Sequence, residues 1–249
     1  EPFLTADDRL MQQAPSLVVR GLELAMRATG SSRGVIAIED NKRKAIESMR
    51  QAVAGKSNLE VAVCMTKYPM GGERQLLPAV LGRVIPTGGL PLDVGVVVLN
   101  VATSISLAHA VDRGRPVTHR VLTVTGAVNR PGNFFVPIGT PISWVIEQAG
   151  GLRKDAAMVL MGGPMMGVTM PDLSIPVIKG TSGITVLSRS EVRKMDQTAC
   201  IKCGRCVENC PYNALENRDK KIIVDPTLCF GCGLCESRCP VHAISGILR

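Results

Sequence analysis

Two copies of one cysteine pattern decide the fold of this chain: Cys200-Ile201-Lys202-Cys203-Gly204-Arg205-Cys206-Val207-Glu208-Asn209-Cys210-Pro211 and Cys229-Phe230-Gly231-Cys232-Gly233-Leu234-Cys235-Glu236-Ser237-Arg238-Cys239-Pro240. Each cysteine lies 29 residues before its counterpart in the second copy. Eight of the nine cysteines of the chain belong to the two copies. The pattern is therefore an internal repeat.

The spacing predicts two [4Fe–4S] clusters with exchanged fourth ligands. Three cysteines at three-residue spacing surround one cluster, and the fourth, followed by proline, binds the other. Zinc sites pair two CxxC units, and disulfides accompany secretion, so both are disfavoured. The predicted ligands are Cys200, Cys203, Cys206 and Cys239 for the first cluster, and Cys229, Cys232, Cys235 and Cys210 for the second.

The formal charge of +8 is unevenly distributed. Residues 196–249 hold 7 Lys/Arg and 6 Asp/Glu, so the excess lies upstream. A basic body favours nucleic acid, an anionic membrane surface, anionic cofactors or an acidic partner. Aromatic residues make up only 3%, which disfavours nucleic acid.

No apolar run approaches the roughly 20 residues of a membrane span. The start, Glu1-Pro2-Phe3, has neither a signal peptide nor a Met, which predicts that the chain begins inside a longer protein.

Residues 1–114 read as an α/β domain. Helical and strand periodicities alternate, which indicates a sheet covered by helices. We predict helices over residues 10–28, 42–53, 73–81 and 101–111, the second capped by Asp40 and Asn41, and strands over 35–38, 61–64 and 96–99.

Residues 115–190 read as a small β-grasp module. A turn at Asn129-Arg130-Pro131-Gly132 joins two of its strands. We predict strands over residues 120–125, 133–136, 158–161 and 184–187, and a helix over 142–148. The polar residues 188–198 predict a linker helix, so the third domain, residues 191–249, holds the linker and a ferredoxin-like α+β domain.

Few other residues suggest chemistry. Glu39, Asp40 and Lys42 lie between a strand and a helix, where a phosphate can bind, although an ordinary helix cap fits equally well. Cys64 is predicted to be a packed thiol. We assign no catalytic residue.

Several further stretches carry a resemblance to a known family. The chain resembles the C subunit of Rnf-type ion-translocating ferredoxin:NAD oxidoreductases. Besides the cysteine repeat, the resemblance rests on Glu1-Pro2-Phe3-Leu4-Thr5 with Asp7-Asp8, Ile38-Glu39-Asp40-Asn41-Lys42, Lys67-Tyr68-Pro69 with Gly72-Glu73, Pro86-Thr87-Gly88-Gly89-Leu90-Pro91, Asn100-Val101-Ala102-Thr103, Val124-Thr125-Gly126 and Gly162-Gly163-Pro164-Met165-Met166-Gly167.

The resemblance implies an FMN/NADH-binding domain followed by an SLBB-type β-grasp domain, as in the distantly similar flavin subunit of respiratory complex I. Asn100 and Thr103 match residues that line the flavin site, and Glu39 and Asp40 fall near the nucleotide edge. The family's glycine-rich FMN/NADH loop precedes the residue matched by Glu1. We therefore expect this chain alone to bind FMN poorly or not at all.

The resemblance implies an electron-transfer subunit that relays single electrons between an FMN/NADH site and partner subunits. The implied partners are the subunits of a membrane-bound complex, including a ferredoxin-carrying one, and the implied location is peripheral, at the cytoplasmic face of the cell membrane. Two alternatives stay open. One is a soluble NADH-dependent cobalamin reductase of microcompartments, and the other is a ligand- or partner-binding module whose clusters are structural.

Overall fold

The computed structural model describes residues 1–188, 194–225, 228–229 and 234–245. The chain forms two compact units. The first contains residue 1 and residues 5–118, and the second contains residues 2–4 and everything from His119 onward.

The first unit is an α/β unit around a parallel strand pair. Strands β1 and β2 pair in parallel from Gly34 opposite Leu59 to Glu39 opposite Cys64, so their carboxyl ends lie side by side. The elements are α1 (Ala6–Gln13), α2 (Pro15–Thr29), β1 (Gly34–Glu39), α3 (Arg43–Val53), β2 (Leu59–Cys64), α4 (Glu73–Leu81), a 3₁₀ turn (Pro91–Val94) and α5 (Val101–Arg113).

One apolar core joins the helices to this strand pair. Apolar residues at helical spacing in α2 and α3 meet the inward-facing residues of β1, as amphipathic periodicity requires. The buried members are Met11, Val18, Val19, Met26, Ile36, Ile38, Ala45, Ile46, Met49 and Leu59.

The single helix predicted over residues 10–28 is wrong, because two helices meet at Ala14 and Pro15. Proline restricts the preceding residue, and Ala14 has the non-helical angles φ −136° and ψ 47°. Pro15 then starts α2, where its missing N–H is tolerated.

Two further predictions for this unit are wrong. Residues 96–99 form no strand. Val97 is 57% exposed, and Val96 donates its N–H to the Pro91 carbonyl in the preceding turn rather than to a neighbouring strand. The apolar run is too exposed to be a buried strand. The side chains of Asp40 and Asn41 do not cap α3, because its N-cap is Lys42, which makes no side-chain cap hydrogen bond.

The second unit begins with a five-stranded mixed sheet and one helix. The elements are β3 (His119–Gly126), β4 (Gly132–Pro137), α6 (Ile142–Gln148), β5 (Ala156–Met161), β6 (Val168–Thr169) and β7 (Gly183–Ser188). The strand order is β4-β3-β7-β5-β6, with β3 and β7 parallel and the other pairs antiparallel. Two hairpins, one helix and a central parallel pair are the arrangement of a β-grasp fold.

Strands β5 and β7 are covered on both faces. Val159, Ile184 and Val186 belong to the core that includes α6. Met158, Leu160 and Leu187 alternate with them and belong to a second apolar cluster with Ala214 and Cys229 of the cysteine-rich segment. Because side chains alternate between the faces of a sheet, one strand serves both layers.

The cysteine repeat is also a structural repeat. The elements are β8 (Lys194–Met195), α7 (Arg205–Glu208), β9 (Leu215–Arg218), β10 (Lys221–Val224), α8 (Leu234–Ser237) and β11 (Ile244–Ser245). Strand β10 pairs with β9, and β11 pairs with β8, both antiparallel. The pair of Val224 with Leu215 is equivalent to the pair of Met195 with Ile244, because the two pairs are related by the 29-residue offset of the repeat.

The linker helix predicted over residues 188–198 is wrong where the structure describes it. Ser188 ends β7, and Lys194 and Met195 form β8. Residues 189–193 lie outside the described residues. Pairing with β11 decides the conformation of Met195, and a window of local sequence carries no sign of a partner so far along the chain.

Candidate iron–sulfur and flavin sites

One cavity is lined by cysteines from both repeats. Cys200, Cys203 and Cys206 of the first repeat face it together with Cys239 of the second, and apolar residues such as Ile222 close its sides. Within the described ranges, no three His, Cys, Asp or Glu side chains meet closely enough to hold a single metal ion. The four cysteines line one shared cavity, which is how the thiolates of a cubane cluster are arranged.

The loop that carries the first three cysteines is shaped by left-handed backbone conformations. Lys202 has φ 60° and Gly204 has φ 77°, and Gly204 is the residue from which α7 starts. The turn at Lys202 directs its N–H to Cys200 Sγ, at 3.4 Å. Backbone donors of this kind stabilise negative charge on a sulfur.

The fourth cysteine of each repeat is held by the same local structure. Asn213 and His242, at equivalent positions, both have φ 51°. The N–H that follows each of them donates to the cysteine sulfur, from Ala214 to Cys210 at 3.3 Å and from Ala243 to Cys239 at 3.2 Å. The duplicated geometry gives the two cysteine–proline corners the same polar environment.

The other half of the repeat is brought together in a similar way. Cys210 packs against the apolar cluster that contains Cys229, although it belongs to the first repeat. Cys229 and Cys235 are buried. Cys232 lies outside the described residues. Among the described cysteines, Cys239 thus lines the cavity of the first repeat, and Cys210 packs against clusters that contain cysteines of both repeats.

The pKa of the Cys206 thiol depends on its burial, on nearby backbone N–H groups and on neighbouring cysteines. Burial raises its pKa, the Val207 and Cys206 backbone N–H groups lower it, and proximity to Cys200 and Cys203 raises it again. A free thiol would keep its proton in this environment. Binding of a metal centre at Cys206 therefore requires release of that proton.

The two residues matched to a flavin site lie at the start of α5. Asn100 is the N-cap: its Oδ1 accepts the Ala102 N–H at 2.9 Å, and its Nδ2 donates to Asp7 Oδ2 at 2.7 Å. Thr103 is exposed, within the first turn of the helix. The structure therefore gives Asn100 a structural role of its own and leaves Thr103 accessible.

Glu39 and Asp40 lie at the carboxyl end of the strand pair. Asp40 Oδ1 accepts the N–H of Thr66 at 3.1 Å and also its hydroxyl, which joins the segments that follow β1 and β2. These hydrogen bonds from Thr66 lower the pKa of Asp40. Different elements thus hold the two predicted pairs, Asn100 with Thr103 and Glu39 with Asp40.

Sequence reasoning missed Thr169, a buried residue next to the second set of cysteines. Its hydroxyl donates to the Cys229 carbonyl at 2.8 Å, from strand β6 of the β-grasp sheet. One signal was available: the runs Met158–Met161 and Ile184–Leu187 are apolar at every position or nearly so, which is typical of strands covered on both faces.

Three protein families match successive parts of the chain. The Nuo51 FMN-binding domain matches residues 1–109, the SLBB domain matches 121–169, and the 4Fe-4S dicluster domain matches 199–243. They confirm the predicted fold classes in order and the predicted cofactor classes, FMN and two [4Fe–4S] clusters. Fold and family matches together define a multidomain class that combines a flavin-binding type of domain, a β-grasp domain and a domain for two [4Fe–4S] clusters.

Curated relatives narrow this class. The C subunit of the Na⁺-translocating ferredoxin:NAD⁺ oxidoreductase complex of Acetobacterium woodii is 46% identical over 212 residues, 85% of this chain and 48% of the relative. The corresponding proton-translocating relative from Clostridium ljungdahlii is 43% identical, over 85% of this chain and 46% of the relative. The chain is thus homologous to the C subunits of ion-translocating ferredoxin:NAD⁺ oxidoreductase complexes, which confirms the resemblance, and it spans about half the length of these relatives.

Solved structures show the same fold. The NAD⁺-reducing [NiFe]-hydrogenase in its H₂-reduced state superposes with a TM-score of 0.62 at 22% identity, over 81% of this chain and 40% of that one. Within the part of the chain that the structure describes, no helix combines the length and apolar character needed to cross a membrane.

Proposed function

We propose that this chain is the electron-relay portion of a C subunit in an ion-translocating ferredoxin:NAD⁺ oxidoreductase. In the whole protein, it passes single electrons between an FMN/NADH site and partner subunits. The observation that carries the proposal is the cavity that Cys200, Cys203 and Cys206 share with Cys239 of the other repeat.

Two interlocked ligand sets follow. The first cluster is bound by Cys200, Cys203, Cys206 and Cys239, and the second by Cys229, Cys232, Cys235 and Cys210. When bound, such clusters supply one-electron oxidation and reduction. The division of the chain proposed with this function is 1–114, 115–190 and 191–249.

The surrounding residues tune and protect the sites. N–H donors from Lys202, Ala214 and Ala243 point at cysteine sulfurs and favour the more negative, reduced state. Apolar residues limit the access of water, which opposes that effect. The apolar residues that are buried around the described cysteines are Leu215, Ile222 and Ile244.

The flavin part of the proposal rests on α5 and the strand ends. Thr103 is accessible at the start of α5, and the helix N-terminus there favours an anionic group such as a flavin phosphate. Glu39 and Asp40 lie at the carboxyl ends of parallel strands, the edge at which nucleotides bind in α/β folds. We assign these three residues and Asn100, four in all, to the FMN/NADH site of the whole protein.

The names of the relatives support a proposal about partners and location. Because these relatives are subunits of multisubunit complexes, we assign the chain to the cytoplasmic face of a membrane complex. It would be held there by contacts with other subunits, including one that carries ferredoxin-type clusters. NADH is the proposed donor or product at the flavin.

Metal and sulfide analysis of the chain, purified without oxygen, tests the core of the proposal. We expect about eight iron and eight acid-labile sulfide atoms, from two cubane clusters. Cys206→Ala should remove about half of both, whereas the matched control Cys64→Ala, a buried cysteine in the first unit, should remove none. Stoichiometric zinc without sulfide would overturn the proposal.

A further inference from the structure

The face of the β-grasp sheet opposite α6 meets the cysteine-rich segment. Met158, Leu160 and Leu187 belong to one apolar cluster with Ala214 and Cys229. All five are at most 7% exposed. The sheet therefore covers the side of the repeat on which Cys229 lies.

A polar contact crosses this apolar junction. Thr169 is 6% exposed and lies opposite Leu160 in the antiparallel pair of β5 and β6, so both side chains occupy the same face. Its hydroxyl donates to the carbonyl oxygen of Cys229 at 2.8 Å. A buried carbonyl needs such a partner, and here the donor comes from 60 residues earlier in the chain.

The two sets of cysteines differ in their contact with the β-grasp sheet. The cavity of the first set is lined by the cysteine-rich segment itself, including Ile201 and Val241, which are partly open to solvent. Cys203 in that set is exposed. Residues of the sheet are absent from the lining of this cavity within the described residues.

We propose that Thr169 is a positioning residue for the second cluster and that the sheet face around it is the inner wall of that site. Thr169 fixes the Cys229 backbone, and Met158, Leu160 and Leu187 keep water away from the Cys229 side. The β-grasp domain is thereby part of the electron-transfer centre. This inference rests on the proposed assignment of Cys229 to the second cluster.

Iron release to a ferrous chelator, measured on the cluster-loaded chain, tests the proposal. In Thr169→Val, half of the iron should leave about tenfold faster, because one buried hydrogen bond at Cys229 is lost. The other half should leave at the wild-type rate. Thr169→Ser, which keeps the hydroxyl, should restore slow release.

Thr185→Val is the matched control. Thr185 is fully buried in the same sheet and donates to a carbonyl at 2.7 Å, but the acceptor is Gly162 within the sheet. EPR of the reduced protein supplies a second measurement. Only the second cluster's signal should change in Thr169→Val, and Cys203→Ser identifies the first cluster's signal.

The outcomes separate this inference from the proposed function. Equal behaviour of Thr169→Val and Thr185→Val, or equal acceleration of both halves of the iron, would overturn the positioning role. Absence of clusters in the wild-type chain would instead overturn the proposed function. If Thr169→Val does not fold, hydrogen exchange of the wild-type chain decides. Iron removal should increase exchange in residues 158–170 and leave exchange in residues 119–126 unchanged. Absence of this selective increase would refute the role of the sheet face as the inner wall of the site.

Discussion

Asn100 shows how one residue can serve the fold and a proposed site at once. Its side chain caps α5 through the Ala102 N–H and also binds Asp7 of α1. The match to flavin-lining residues gave no hint of either contact. Loss of flavin on substitution of Asn100 would therefore have two possible causes, whereas Thr103 has an exposed side chain and is the cleaner probe.

We expect Thr103→Ala, in a protein that includes the upstream flavin segment, to weaken FMN retention without changing the urea-unfolding midpoint. Asn100→Ala should weaken retention as well. It should also lower the free energy of unfolding by about 1 kcal/mol, because an N-cap is lost. The measurements are the FMN content after gel filtration and urea denaturation. Full flavin retention in the double variant would contradict the assignment of both residues.

At the scale of the element, periodic patterns predicted most of the helices and strands. Helices α4 and α6 have the predicted bounds, since apolar spacing and a following Gly82 or Gly150 mark them locally. The strand at residues 96–99 failed because an apolar run does not specify a partner strand. Strand β8 was missed because its partner, β11, lies about 50 residues further on.

The candidate site also has features that the local sequence predicts and a feature that depends on packing between distant segments. Spacing alone predicted the exchange of the fourth cysteine, and Cys239 lines the cavity of the first repeat. The prediction of the exchange rests on loop chemistry that is local and repeated, and it stays a prediction. The contact between Thr169 and Cys229 was not predictable in detail, since it depends on how a β-grasp sheet packs against a different segment.

Close approach of α2 to α5 yields a prediction for the first unit. A Cβ on Gly21 would lie 1.9 Å from the Ser104 carbonyl oxygen of α5. Alanine normally favours a helix over glycine by about 1 kcal/mol. The clash is with backbone, which cannot turn aside, so we expect Gly21→Ala to lower the free energy of unfolding of this unit by about 1–3 kcal/mol.

Chemical denaturation of Gly21→Ala and of Gly71→Ala measures this effect. Gly71 is exposed, no atom lies within 4 Å of its added Cβ, and its φ is not in the left-handed region, so its substitution should be nearly neutral. A Gly21→Ala protein as stable as the control would show that the two helices can separate at little cost.

For the whole molecule, the central question is whether the clusters conduct or only stabilise the fold. All eight proposed ligands lie in the second unit, and the proposed flavin residues lie in the first. Damage to one cluster should therefore block onward electron transfer while the flavin chemistry continues. Cys210, the proposed exchanged ligand, makes the test specific, because it belongs to the first repeat and packs against the apolar cluster that contains Cys229 of the second.

We expect Cys210→Ala to disturb the cluster held by Cys229, Cys232 and Cys235, with conversion to a three-iron form, and to spare the other cluster initially. In the full-length protein, electron transfer from NADH to an acceptor should fall sharply, because the relay loses one of its two centres. Hydride transfer from NADH to flavin should be nearly intact. Single-turnover absorbance follows both steps, and EPR identifies the altered cluster.

The control is Cys64→Ala, which removes a buried cysteine near the proposed nucleotide edge but no proposed cluster ligand. Both electron-transfer steps should stay at the wild-type rate in this variant. If Cys210→Ala had a confirmed damaged cluster and still passed electrons onward normally, that cluster would be a structural element. In that case the relay would not need it, and the binding-module interpretation would gain the support that the conducting one lost.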